Sequence, residues 1–339
     1  MSGLYRKLVL AATALAFVVV VSGAYVRLMD AGLGCPDWPG CYGAVSPAQV
    51  KDVIAQAVEA QGGEHGPVSL RKAWKEMGHR YLAGILGLLI LVIAIVAGCA
   101  RRALGQSPVL PTLLLGLVIF QAALGMWTVT LLLKPVIVTL HLLGGMATLA
   151  LVAFLAVRQY LTARPHDEVR ARRLKPWAAL GIAVVFVQIA LGGWVSTNYA
   201  ALACVDFPTC HGQWLPEMDF RHGFQFVREL GRTAAGDHLA YEALTAIHWT
   251  HRVGALVTFL YVGALAVALV RIRGLGAWGA LLGAVLATQM ALGIANVLAG
   301  LPLWVAAAHH AVAAVLLVSL LVINYALSRI SAAPSSHVT

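Results

Sequence analysis

The apolar positions of this chain fall in long blocks. Eight can be read, at roughly 8–28, 79–99, 109–131, 136–157, 177–197, 247–270, 277–299 and 303–326. A helix rises 1.5 Å per residue, so about 20 residues cross the hydrocarbon core of a bilayer. Each block therefore predicts a membrane-spanning helix, and the Gly and lone polar residues inside several of them suit helices packed in lipid. Arg6 and Lys7 precede the first block, and Ser22-Gly23-Ala24 has the small side chains of a signal cleavage site. The length of that block, and the repeat described below, predict a retained helix instead. Two long polar stretches, about 29–77 and 198–246, interrupt the pattern. In the first, Ser46-Pro47-Ala48-Gln49 places a capping Ser, a Pro at the first helical position and a Gln three residues on. That combination predicts a short surface helix running to about Ala60.

Composition agrees with a lipid-embedded chain: 60% of the 339 residues are hydrophobic and 11% charged, against about 25% charged in soluble domains. The basic residues then give the orientation. Arg6, Lys7, Arg101, Arg102, the run from Arg158 to Lys175, Arg271, Arg273 and Arg329 all fall on one side, and Lys134 is the one basic residue in the short connections opposite. Lys and Arg in short loops mark the cytoplasmic face, so both termini are expected there, with the two long loops extracytoplasmic. The net charge of +10 reflects this bias, and no basic patch with interleaved aromatics points to nucleic acid. Four cysteines lie in the outer loops as two matched pairs, Cys35 with Cys41 and Cys204 with Cys210. Oxidising compartments preserve disulfides, so two intraloop disulfides are expected. A metal site using His211 is the alternative, although neither pair has the second Cys-x-x-Cys that would complete one. Cys99, at a cytoplasmic helix end, reads as packing.

Residues 1–160 laid over 175–330 show the same features in the same order. Each half has a helix, a loop with Cys-x5-Cys, a helix carrying His-Arg (His79-Arg80; His251-Arg252), a helix carrying Gln-x-Ala-Leu-Gly (Gln121 to Gly125; Gln289 to Gly293), then a Pro leading to a histidine (Pro135, His141; Pro302, His309). Gln188 to Gly192 is a third copy of the Gln pattern. This density implies duplication. The expected fold is an all-α integral membrane protein of eight transmembrane helices, arranged as two tandem four-helix bundles of the same orientation. Its parts are an N-terminal half, 1–160, a cytoplasmic linker, 161–176, a C-terminal half, 177–330, and a tail, 331–339. Transporters built on inverted repeats bind near mid-membrane, whereas here the repeated polar residues cluster near the outer surface.

Histidines in membrane helices are costly and functional. His79, His141, His248, His251, His309 and His310 fall near the outer ends of helices two, four, six and eight; His65, His166, His211, His222, His238 and His337 read as solvated loop or tail residues. A haem takes two axial nitrogens from facing helices of a bundle, and His79 with His141, and His251 with His309, meet that need twice. His310 stands beside His309 as an alternative, and His309 is preferred because its spacing from Pro302 better matches that of His141 from Pro135. Arg80 and Arg252 serve either haem propionates or interfacial anchoring. The glycines of the Gln motifs admit either a flat macrocycle or a neighbouring helix, and Gln121 and Gln289 bond either a ligand or a neighbouring helix. Glu76 lies on the same helix face as His79, and its counterpart in the second half is His248. A carboxylate at one site only points to chemistry in the first half, as general acid/base or by stabilising a cation; the alternative is an acid favoured by a helix N-terminus.

Taken together, Gly32-Leu33-Gly34-Cys35-Pro36-Asp37-Trp38-Pro39 with Cys41, Glu76-x-x-His79-Arg80, His251-Arg252, His141 and His309 resemble the haem A synthase family along nearly the whole chain. The resemblance implies a bacterial inner-membrane oxidoreductase that converts a methyl group of haem O to a formyl group, supplying haem A to terminal cytochrome oxidases. It places substrate haem O between His79 and His141 with Glu76 at the active site, a resident haem b between His251 and His309, and structural or redox-active disulfides near the haems. Haem O synthase is then the expected supplier of substrate, and a homo-oligomer is compatible. No strand–Gly-rich loop–helix unit for a nucleotide cofactor is visible, so electrons must come from outside, from a quinol or a small redox protein. The competing reading is a diheme b-type cytochrome that passes electrons from quinol without oxidising a substrate.

Overall fold

The computed structural model describes residues 2–61, 63, 68–161 and 168–329. His65, His166, His337, linker residues 162–167 and the tail 331–339 lie outside the described residues. Every apolar block is a helix: α1 (Ser2–Leu28), α2 (Leu70–Cys99), α3 (Val109–Thr130), α4 (Pro135–Tyr160), α5 (Glu168–Thr197), α6 (Tyr241–Val270), α7 (Gly276–Leu298) and α8 (Leu303–Ser328). All eight are long and apolar enough to span a membrane. Among the described residues there are no strands, only isolated bridges in the loops.

Four helices begin well before their apolar blocks, α1 at Ser2, α5 at Glu168 and, under the long loops, α2 and α6. α2 starts at Leu70 because the Ser69 hydroxyl accepts the Lys72 amide at 3.2 Å and caps the helix in polar sequence. α6 starts at Tyr241. These extensions place Glu76 and His248 on helices under the long loops. In the first loop Ser46 and Gln49 form the reciprocal capping box, opening a 3₁₀ turn (Pro47–Val50) and the short helix Lys51–Ala60.

α1 packs on α2 and α4, and α3 packs on both α2 and α4, closing a ring of four; α5, α6, α7 and α8 close a second ring in the same order. The rings meet where α1 touches α8, α4 touches α5, and α4 touches α8. Exchanging each helix for its repeat partner turns the first contact into the second and leaves the third unchanged, so the junction has the form of a two-fold interface. Small Ala12 and Ala16 on α1 sit against Met146, Leu149 and Val152 of α4 in a core that continues through Val185, Leu282, Leu286, Leu317 and Leu320 of the second ring. In lipid such close approach is driven by packing rather than by expulsion of water.

The connections repeat as well. α1 and α5 both end through a left-handed residue, Asp30 (φ 47°) and Tyr199 (φ 55°). Ala31 then donates to Val26 O, and Ala200 to Val195 O, each at 3.0 Å, so orphan helix carbonyls are satisfied. At the junction the Arg27 guanidinium donates to Ser196 O at 2.6 Å and covers the Tyr199 ring, whose hydroxyl donates to Asp30 at 2.7 Å. The Thr139 and Thr197 hydroxyls meet at 3.2 Å below it.

Packing between α6 and α7 depends on Gly279. A Cβ there would lie 2.6 Å from both Ala266 O and Val270 N, which are backbone atoms that cannot swing aside. Gly279→Ala should therefore cost about 1–3 kcal/mol by overpacking, seen as a lower thermal midpoint in detergent. Gly283→Ala, whose Cβ would stand an ordinary 3.9 Å from Ala266 Cβ, should leave the midpoint unchanged.

Candidate functional site

The four paired histidines share one packing arrangement. A Cβ built on Gly23 of α1 would lie 2.9 Å from His79 Cε1, on Gly125 of α3 3.3 Å from His141 Cε1, on Gly192 of α5 3.0 Å from His251 Cε1, and on Gly293 of α7 3.1 Å from His309 Cε1. Carbon atoms pack at about 3.5–4.0 Å, so each imidazole edge occupies space that only glycine leaves on the preceding helix. His79 and His141 lie within electrostatic reach of each other, as do His251 and His309. The glycines of the Gln-x-Ala-Leu-Gly segments thus receive an imidazole, and the third copy, Gln188 to Gly192, does for His251 what the other two do for His141 and His309.

Two of the three glutamines lie against the same rings. Gln188 Nε2 is 3.0 Å from His251 Nδ1 and from His251 O, and Gln289 Nε2 is 3.3 Å from His309 Nε2. Gln121 presses on Gly144 of α4, where no side chain would fit. α1 carries no such Gln and uses Ser22. The Ser22 hydroxyl donates to Val19 O at 2.9 Å, so its oxygen is free to accept from His79 Nδ1, also 2.9 Å away. That geometry suits a proton on Nδ1, which leaves Nε2 as the basic nitrogen.

Buried polar groups find partners in nearly every protein. Among the described residues ten buried side-chain polar atoms lack one, and five of them belong to this set: Gln121 Nε2, His141 Nδ1, Gln188 Oε1, Gln289 Oε1 and His309 Nδ1; a sixth, His310 Nε2, is on the neighbouring residue. The paired imidazoles, with unpartnered polar atoms around them, fit a haem between each pair. His310 is placed differently. Its ring turns to the Val20 carbonyl of α1, and its repeat partner Leu142 packs at Gly193 of α5. Both positions face the junction between rings, and His309 holds the position equivalent to His141.

Above the histidines, Cys35–Cys41 and Cys204–Cys210 are disulfide-bonded. Both loops follow one pattern, Cys-x-Asp-aromatic-Pro-x-Cys-x-Gly. Asp37 accepts the Tyr42 and Gly43 amides at 2.5 and 2.8 Å, and Asp206 accepts those of His211 and Gly212 at 2.8 and 3.0 Å. Tyr42 and Gly43 (φ 51° and 78°), like His211 and Gly212 (54° and 71°), form a two-residue left-handed turn that calls for glycine at its second position. The Thr209 hydroxyl first, then the Gly212 and His211 amides, hold the Asp206 carboxyl well below the usual carboxylate range. A depressed folded-state value means that this anchorage is complete at neutral pH and is lost only in acid, as pH falls through that value.

Arg80 and Arg252 direct their donors to these loops. Arg80 Nη1 reaches Asp37 O and Gly40 O at 2.8 and 2.5 Å while Nη2 pairs with Glu76 Oε1 at 2.5 Å. Arg252 reaches Thr209 O and Cys204 O, each at 2.8 Å. Glu76 is buried, and its Oε2 accepts the Cys35 amide at 2.9 Å. In the second half His248 takes this place, with Nδ1 3.3 Å from the Cys204 amide and Nε2 3.2 Å from Arg252 Nε. Glu76 and His248 are thus structural counterparts, but a carboxylate accepts at both oxygens and a neutral imidazole at one nitrogen. The sequence pattern gives Ser22 and Gly23 only a likeness to a cleavage site, Asp37 only a place in the loop signature, and Asp206 nothing, so none of them has a role at the site there. Aligning Gly23 with Gly192 and Asp37 with Asp206 is the signal that finds them.

Each loop has its own clamp, so Arg80→Ala should speed reductant access to Cys35–Cys41 about tenfold or more, by stranding several hydrogen-bonded carbonyls, and should leave Cys204–Cys210 unaffected. Arg252→Ala should do the reverse. Timed reduction followed by thiol labelling and peptide mapping reads both loops in one experiment.

The chain as a whole is similar to known proteins. Residues 6–321 match the COX15-CtaA family, described as cytochrome oxidase assembly protein. A haem A synthase of Shewanella oneidensis is 40% identical over 312 residues, covering 91% of this chain and 92% of that protein. Haem A synthases of Halalkalibacterium halodurans (27% over 318 residues, covering 92% and 93%) and Methylobacterium radiotolerans (30% over 334 residues, covering 92% and 87%) are similar along the same extent. Over nearly its whole length, then, this chain belongs to the family of cytochrome oxidase assembly proteins that includes the haem A synthases.

Proposed function

We propose that the protein is a haem A synthase, oxidising a methyl substituent of haem O to a formyl group and so supplying haem A for terminal cytochrome oxidase. The observation that carries this reading is the double set of facing histidines, each seated against a glycine and bordered by unpartnered buried polar atoms. Haem O is the substrate in the first ring, residues 1–160, between His79 and His141. A resident haem b belongs to the second, residues 177–330, between His251 and His309. Iron in a haem supplies the electron and oxygen chemistry that side chains lack.

The chain's own residues orient and shield. Ser22 fixes the His79 tautomer, and Gly23 and Gly125 set the positions of the two rings. Glu76 holds the Cys35 loop over the first site and is the acidic group there; no carboxylate stands at the equivalent position in the second. Arg80 and Arg252 position the loops, and through them the covers of the two haem sites. The loops face the outside of a bacterial inner membrane and the termini the cytoplasm. Haem O synthase provides the substrate, and a quinol or a small redox protein provides electrons through the second-ring haem.

The test is haem extraction and chromatography from membranes of a host that makes haem O, with and without this chain. Haem A should appear with it. Glu76→Gln and His79→Ala should each lower haem A by about 100-fold or more, whereas Gly192→Val should instead remove the second-ring haem spectrum by displacing His251. Bound haem with no conversion of haem O, under an adequate electron supply, would instead identify an electron-transfer cytochrome.

A further inference from the structure

Away from the histidines, a cavity of about 320 Å³ opens where the two rings meet at the loop-bearing face. Lys134, from the turn between α3 and α4, lines one side, and Arg228, Glu229, Arg232, Thr233 and Gly236, from the loop before α6, line the other. Three cations thus face one carboxylate, and among the described residues none of the three is in an ion pair. Arg228 is only 4% exposed. It is held by Asn198 Oδ1, the Arg232 carbonyl at 3.2 Å and the face of Trp194, yet its Nε has no partner. The Thr233 hydroxyl in the same wall is also buried and unpartnered. Burial without a counter-charge pushes the Arg228 guanidinium below its usual range. A buried cation and a hydroxyl, both short of an acceptor, mark a place for an anion.

The surroundings indicate what kind. Lys134 and Asn198 lie at helix ends, where the spans leave the apolar layer. Leu132, Phe226 and Val227 beside the cavity are 70%, 59% and 84% exposed, which suits acyl chains better than water. We propose that this cavity binds the phosphate of an anionic phospholipid headgroup, with Lys134 from one ring and Arg228 and Arg232 from the other closing on the oxyanion. A lipid seated there adds a tie between the rings beside the Thr139–Thr197 contact.

The experiment uses full-length protein, delipidated in detergent, and follows lipid retention by native mass spectrometry together with the thermal midpoint. Wild type should retain one phosphatidylglycerol in preference to phosphatidylcholine and gain stability from it. Lys134→Gln with Arg232→Gln, both at partly exposed positions that leave the core intact, should weaken retention about tenfold or more. Arg221→Gln, at an exposed arginine of the short helix Phe220–Gly223 outside the cavity, should not. Saturable stabilisation by inorganic phosphate, lost in the double variant, with no benefit from phosphatidylglycerol, would keep the oxyanion site and overturn its lipid source. Equal phosphatidylglycerol retention by wild type, the double variant and Arg221→Gln would overturn the site.

Discussion

An imidazole between membrane helices needs space beside the backbone and a fixed partner for one nitrogen, and the apolar layer supplies no water to stand in for either. Here consecutive helices provide the space. Glycines on α1, α3, α5 and α7 receive the ring edges of histidines on α2, α4, α6 and α8. That seating dictates how closely the helices of each pair run together, and so which faces remain for the packed core and for the junction. Because a side chain at any of these glycines would collide with the ring edge, each seat is kept open for its imidazole before anything binds, which is the preorganisation a buried ligand site depends on.

The two rings keep this scheme and vary its partners. His79 leans on a hydroxyl, His251 on a carboxamide. The first loop is held by a carboxylate that accepts from an amide and a guanidinium together, the second by an imidazole able to accept one of the two. The single acid that sequence reasoning reads as a chemical signature is therefore also a stronger fastening for one loop. Both properties follow from two oxygens on one carbon.

Much of this was legible in the sequence. The eight spans follow from apolar length alone, because the hydrocarbon layer imposes one dimension on all of them. The histidine pairs and cysteine loops follow from the repeat. What escaped is what depends on contact between helices. Nothing in the order of residues says that Gly23 meets His79 or that Ser22 has its own proton committed to Val19. The Arg80 and Arg252 side chains, read as propionate ligands or interfacial anchors, turn to loop carbonyls, whose positions a linear pattern does not contain. The starts of α2 and α6 lie outside the apolar pattern for a related reason: Ser69 caps polar turns of α2, and covering loops lie over the first turns of both helices, neither of which a hydropathy window registers.

The junction carries a historical consequence. Its contacts exchange under the repeat, with α4 against α8 at the centre, and a surface of that kind is what two identical four-helix chains present to each other. Joining them end to end made each copy's mutations private. A hydroxyl at Ser22 no longer required one at Leu191, and an acid at Glu76 no longer required one at His248. Fusion thus turned a symmetric pair, bound to do the same thing twice, into one chain free to give its two sites different work.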